Sequence, residues 1–194
     1  MAEQQIKLEN LLFPSQPRSH TLSNQLQPRS ASPGIPRSVR LCLDAIQKLS
    51  GLNKIIAEFM LCSGCRVHEV LQLEIRDISE TGHVLIRAGK RSQNRVVYFP
   101  ALRRFAFPTR KPPNSKVFPF HNYWKFYRSF RSAIPGAPPR SRFRNKITNL
   151  LRCAAADLSA HLSRGDSSIP SVFLGHKSPR STDSYLQTKG VPNG

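Results

Sequence analysis

Residues 61–73 read LCSGCRVHEVLQL. Ser63-Gly64 interrupts the helical pattern before it, and a short helix carrying Arg66 to Leu73 follows, with Val67, Val70 and Leu71 on its buried side. Upstream, Ile55, Ile56, Phe59 and Met60 form the apolar stripe of a helix over Leu52 to Cys62. Before that, Val39, Cys42, Leu43, Ile46 and Leu49 recur at helical spacing, from an N-cap at Ser38 to a stop at Gly51. Downstream the period changes to that of strands. His83-Val84-Leu85-Ile86-Arg87 and Arg95-Val96-Val97-Tyr98-Phe99 flank a polar turn from Gly89 to Asn94, which predicts a hairpin with Lys90 at its tip. Pro100 ends it, and residues 108–121 read as Pro-rich loop around Val117-Phe118. Helices are expected over Asn122 to Ala133, with Trp124, Phe126, Tyr127 and Phe130 as apolar bulk, and from Asn145 or Thr148 to His161, capped by Gly165. Two short helices near Ile169–Leu174 and Ser181–Thr188 complete the pattern. The fold class is mainly α with a small antiparallel β-sheet, an α+β arrangement.

The charge is lopsided. Across 194 residues, 30 Lys and Arg face 11 Asp and Glu, a net charge of +19. No acid occurs between Glu80 and Asp157, and that stretch carries 17 Lys or Arg from Arg87 to Arg152. Such a block repels itself without a polyanion, and a nucleic acid, double-stranded DNA among them, is the first partner this chemistry suggests, beside a ribosomal-type or merely solubilising basic surface. No apolar run is long enough for a transmembrane helix, and Met1 to Asn10 lacks the apolar segment of a signal peptide. The expected setting is cytoplasmic, at the nucleoid, and neither a membrane nor organellar targeting is implied. The four cysteines then read as free thiols. Cys62 and Cys65 form a lone CxxC with no second ligand pair, so no metal is assigned. Residues 1–36, rich in Pro, Ser and Gln, read as a disordered or linker-like tail ahead of a domain at 37–190.

Four local motifs carry a resemblance, in a fixed order. The first is the opening stretch, Leu61 to Leu73, with Asp77 on the loop after it. It is similar to the "TGxRxxELxxL" segment of the tyrosine recombinase (phage integrase) family. Gly89-Lys90 with Arg95 and Pro100 resembles that family's hairpin "GKxxKxRxVP". Asn149-Leu150-Leu151-Arg152 resembles "HxLR", and Leu174-Gly175-His176-Lys177-Ser178 with Thr182 and Tyr185 resembles "LGHxxxxxTxxY". The Arg66–Lys90 gap of 24 residues and the His176–Tyr185 gap of nine fit as well. The resemblance implies the catalytic-domain fold of that family and a site-specific recombinase or integrase. Such an enzyme cleaves and rejoins DNA through a 3′-phosphotyrosyl intermediate, with no cofactor and no metal, as a dimer or tetramer on DNA.

The residue types suit the chemistry. Attack on a phosphodiester spreads negative charge over its non-bridging oxygens, which Arg66 and Arg152 are suited to clamp. Tyr185 is the nucleophile the resemblance assigns, and its phosphate ester stores the bond energy for religation. Lys90 is placed to protonate the leaving 5′-oxygen, and His176 to hydrogen-bond a phosphate oxygen.

Some positions depart from the family pattern. Asn149 stands where the family has His, and an amide accepts no proton at neutral pH, although it still bonds a phosphate oxygen. No N-terminal core-binding domain is recognisable, and nine residues follow Tyr185 where many relatives carry a docking helix. Two other readings therefore stand beside the enzyme: a catalytically impaired recombinase kept as a DNA-binding module, and a type IB topoisomerase-like relaxing activity. Tyr123, Trp124 and Tyr127 are open to stacking on bases or to packing in the core.

Overall fold

A computed structural model describes residues 34–87, 93–107, 111–135, 144–163 and 174–175. Pro36 precedes the first helix, α1 (Arg37–Gln47). The N-cap expected at Ser38 is thus displaced by two residues, and the Ser38 hydroxyl donates instead to the Asp157 carboxylate. Proline is suited to that entry because its fixed φ and missing N–H cost nothing there. α1 also ends before Gly51, at Lys48, and Gly51 opens the next helix rather than closing this one. That helix, α2 (Gly51–Ser63), stops at Gly64, which adopts the left-handed conformation (φ 60°) that glycine enters without a steric penalty.

α3 follows as a shorter element than expected, Val67–Leu71, and a single 3₁₀ turn at Ile75–Asp77 comes after it. Asp77 closes that turn by accepting the Glu74 N–H (2.9 Å), and Arg87 pairs with the same carboxylate at 2.6 Å. The hairpin forms where the sequence places it. β1 (His83–Ile86) pairs antiparallel with β2 (Arg95–Tyr98), with His83 opposite Tyr98 and Ile86 opposite Arg95. A 3₁₀ turn at Pro100–Leu102 and a one-turn helix α4 (Arg103–Ala106) follow, and sequence periodicity is too short-ranged to resolve either. Val117 and Phe118 tuck into the core from the loop. α5 (Tyr123–Ala133) is capped by Asn122, whose Oδ1 accepts the Lys125 N–H at 3.0 Å.

The last described helix, α6 (Arg144–Leu162), is the spine of the fold. It packs along α1 and α2, with Ile147, Leu151, Ala154 and Leu158 buried in the core. Ala154, Ala155 and Ala156 are fully buried, and their small side chains let the neighbouring helices approach closely. Phe59, Phe99, Phe126 and Phe130 fill the space that remains. The architecture is mainly helical with a two-stranded antiparallel sheet, the expected α+β class. Among the described residues no helix is long and apolar enough to cross a membrane. The short helices expected near 169–174 and 181–188, and the Gly165 cap, lie outside the described residues apart from Leu174. So do residues 1–33 of the expected tail.

The four cysteines are free. Burial pushes the Cys42, Cys62 and Cys65 thiols up to about 12, which leaves them protonated and unreactive at neutral pH. Cys62 and Cys65 belong to the core rather than to a surface.

Candidate active site

The turn between α2 and α3 is built from the first motif. Ser63 donates its hydroxyl to the Phe59 carbonyl (2.6 Å) and accepts the Cys65 N–H (3.3 Å), which fixes the path of the chain past Gly64. Arg66 sits at the N-cap of α3 in extended conformation, with its side chain 39% exposed. Glu69, one turn on, reaches back to accept the Arg66 N–H at 2.9 Å. Its other oxygen accepts from Arg66 Nη1 at 3.3 Å. The acid thus occupies a first helical turn, where orphan N–H groups favour negative charge.

Arg152 comes to this turn from the middle of α6. Its side chain is buried to 1% exposure. An arginine among leucines and alanines needs hydrogen-bond partners to be tolerated there. Arg152 finds them in two main-chain carbonyls: Nη1 donates to Gly64 O, and Nη2 to Leu174 O at 3.0 Å. It therefore staples the first motif to the fourth. Asn149, one turn earlier on α6, is exposed.

The hairpin joins the same cluster. Arg95, the first residue of β2, donates through Nη2 to Glu69 Oε2 at 3.1 Å. Gln93 donates its N–H to Gly175 O at 3.1 Å. Gly175 adopts φ 65°, and a Cβ there would stand 2.9 Å from Arg95 Nη1. Segments of all four motifs thus meet at one place. Lys90, His176 and Tyr185 themselves lie outside the described residues; in sequence, Gln93 and Arg95 follow the first by three and five positions, and Gly175 precedes the second.

Glu69 is the hub that sequence reasoning left out of the candidate site, and Arg95 is its second missed member. Both carried a signal. Glu69 falls three residues after an N-cap arginine, the spacing at which an acid can reach back to the cap. Arg95 precedes Val96, which is 61% exposed, so strand alternation turns the arginine inward, where it needs a partner.

The electrostatics follow from the contacts. Burial pushes the Glu69 carboxyl up, but the Arg66 N–H, then the charge and hydrogen bond of Arg95 and the charge of Arg152, outweigh it. The group is held below its ordinary value of 4.5. A carboxylate depressed in the folded state contributes stability above its ordinary value and loses it as pH falls through the lowered one. Wild type is expected to melt roughly 2–6 °C above Glu69→Gln near neutral pH. That lead should shrink as pH drops below 4.5, which thermal melts of both proteins across acid pH will measure. A lead unchanged at a pH of about 3 would overturn the assignment.

The aromatics divide. Tyr127 is buried, Tyr123 stacks on His68 (centroids 5.3 Å apart), and Trp124 is 45% exposed.

No family model matches the sequence, and no curated protein does. Among solved structures, a crystal structure of XerA recombinase superposes with a TM-score of 0.52 at 20% sequence identity, covering 88% of this chain and 68% of that one. At that identity the likeness is one of architecture: this chain is similar in fold to XerA recombinase.

Proposed function

We propose that this chain is a DNA strand transferase of the tyrosine recombinase kind. The observation that carries the reading is the cluster around Glu69. Arg66, Arg95 and Arg152 all act electrostatically on this one carboxylate, so the four groups together hold a surplus of two positive charges (three minus one). Such a surplus at a turn with one arginine open to solvent is suited to an anion, and a DNA phosphate supplies one. The basic block from Arg87 to Arg152 gives the surrounding field. The fold likeness to a recombinase supports the same reading.

In this mechanism the scissile phosphate lies against Arg66, with Arg152 behind it holding the site together. The Tyr185 hydroxyl attacks phosphorus, the bond to the 5′-oxygen breaks, and Lys90 gives that oxygen a proton. The phenol proton goes to a base other than Asn149, whose amide is not one at neutral pH. Asn149 and His176 hold phosphate oxygens. The 5′-hydroxyl of a partner strand then reverses the step. The domain that does this spans residues 37–190, paired or tetrameric on DNA, with residues 1–36 as a tail.

The test is a nicked suicide duplex carrying a sequence selected from random DNA for binding to this protein. A covalent complex that survives denaturant is expected. A duplex that binds with salt-dependent affinity and never yields an adduct would mean a binding module only, the outcome that an amide in place of a base at Asn149 favours.

A further inference from the structure

We propose that Arg95 is a positioning residue for this site: it locks the base of the hairpin that carries Lys90 against both Glu69 and the Gly175 segment that leads into His176. The inference rests on the recombinase reading above and assigns a role to a residue outside the phosphate-binding set. Arg95 is nine-tenths buried, its side chain 9% exposed. One edge of its guanidinium is held by Glu69 Oε2. The rest of the group lies against Gly175, whose missing side chain makes the room: a Cβ there would come within 2.9 Å of Nη1 and 3.1 Å of Cδ. The Gln93 N–H fastens the same strand to Gly175 O, so hairpin and glycine segment are held twice.

Two donors of Arg95, Nε and Nη1, are buried without a hydrogen-bond partner among the described residues. Burying unpaired donors is unfavourable, so stability alone is a poor reason to have arginine here. An apolar side chain would fill the volume at lower cost. What arginine supplies is a flat, rigid fork that takes a carboxylate on one side and a bare backbone on the other. A lysine has one ammonium and no plane, so it reaches Glu69 without registering Gly175. The same Glu69 oxygen orients the Arg66 backbone, so a shift of Arg95 is transmitted to the arginine that faces the phosphate.

The test uses the full chain and the duplex described above, with two readouts: DNA affinity, and the single-turnover rate of adduct formation at saturating DNA. Arg95→Lys is expected to slow adduct formation about 100-fold, the scale of a small misplacement of reacting groups, while Kd changes by less than about twofold. Glu69→Gln, which weakens the hold on both Arg95 and Arg66, is expected to slow it at least as much, and the double variant to be no slower than Glu69→Gln, because Arg95 acts through the same carboxylate. Circular dichroism and melting establish that each variant is folded; should Arg95→Lys not fold, Arg95→Gln, which keeps a flat polar end group and leaves the Arg66–Glu69 contacts in place, takes its place. If wild type forms adduct and the folded variants form it at the wild-type rate, Arg95 has no positioning role and the recombinase reading stands. If Kd weakens while the saturated rate holds, Arg95 is a DNA contact and the proposal is overturned. If wild type itself forms no adduct, the recombinase reading fails and this inference fails with it.

Discussion

Arg152→Ala is expected to lower folding stability by about 3–5 kcal/mol, the scale on which breaking a buried charged network acts. Arg152 is 1% exposed and is among the largest fully buried side chains of the fold. Truncation empties that volume and leaves the carbonyls of Gly64 and Leu174 without their donor. Each effect is destabilising by itself: cavities in cores and unpaired buried acceptors are two of the recurrent causes of large losses. In a domain of this size the melting temperature should fall by roughly 6–20 °C. Arg152→Lys should recover only part of this, since one ammonium at the end of a single stem does not span two carbonyls as a fork does. Urea unfolding of the three proteins measures the series. An alanine variant within about 0.5 kcal/mol of wild type would rule out the staple. Arg152→Lys also separates the staple from catalysis: on the proposed mechanism it keeps a charge near the phosphate but loses the geometry that joins motif to motif, so adduct formation drops further than stability does.

Tyr185→Phe carries the second large effect. Phenylalanine keeps the ring and removes only the attacking oxygen. Adduct formation should then disappear, a fall on the order of 10⁶ in rate when a covalent nucleophile is lost. DNA affinity should stay within about twofold, because the basic surface that binds phosphates is untouched. The readout is the denaturant-resistant band on the nicked duplex, with a filter-binding or anisotropy titration beside it. A persisting adduct would move the nucleophile to another residue. Loss of binding along with loss of the adduct would instead make Tyr185 a DNA contact, and the phosphotyrosyl mechanism would have to be given up.

Much of the secondary structure was legible because it is written in local periodicity. The stripes of α2 and α5 and the alternation of the hairpin follow from which side chains avoid water. Errors fell where a local signal was outbid from elsewhere in the chain. Ser38 is a good cap by type, but Asp157, 119 residues away, takes its hydroxyl. Gly51 resembles a helix stop and begins a helix. The aromatics of α5 show the same limit: one helix holds a buried Tyr127 and a Trp124 that is 45% exposed, and their spacing alone does not tell a core side chain from one open to a ligand.

The candidate site divides along the same line. The sequence by itself determined the residue types, their order and the basic field around them: Arg66, Lys90, Asn149, Arg152, His176 and Tyr185 at spacings that fit one reaction. Only the tertiary structure decided that Arg152 is a buried staple across 88 residues to Gly64, and that Glu69 binds Arg95 across 26. The reason is physical. Arg152 is held by main-chain carbonyls, which every residue offers, so no pattern of side chains marks which ones it will find. Arg95 fits because Gly175 offers it empty space, and the space a missing side chain leaves exists only once the chain has folded around it.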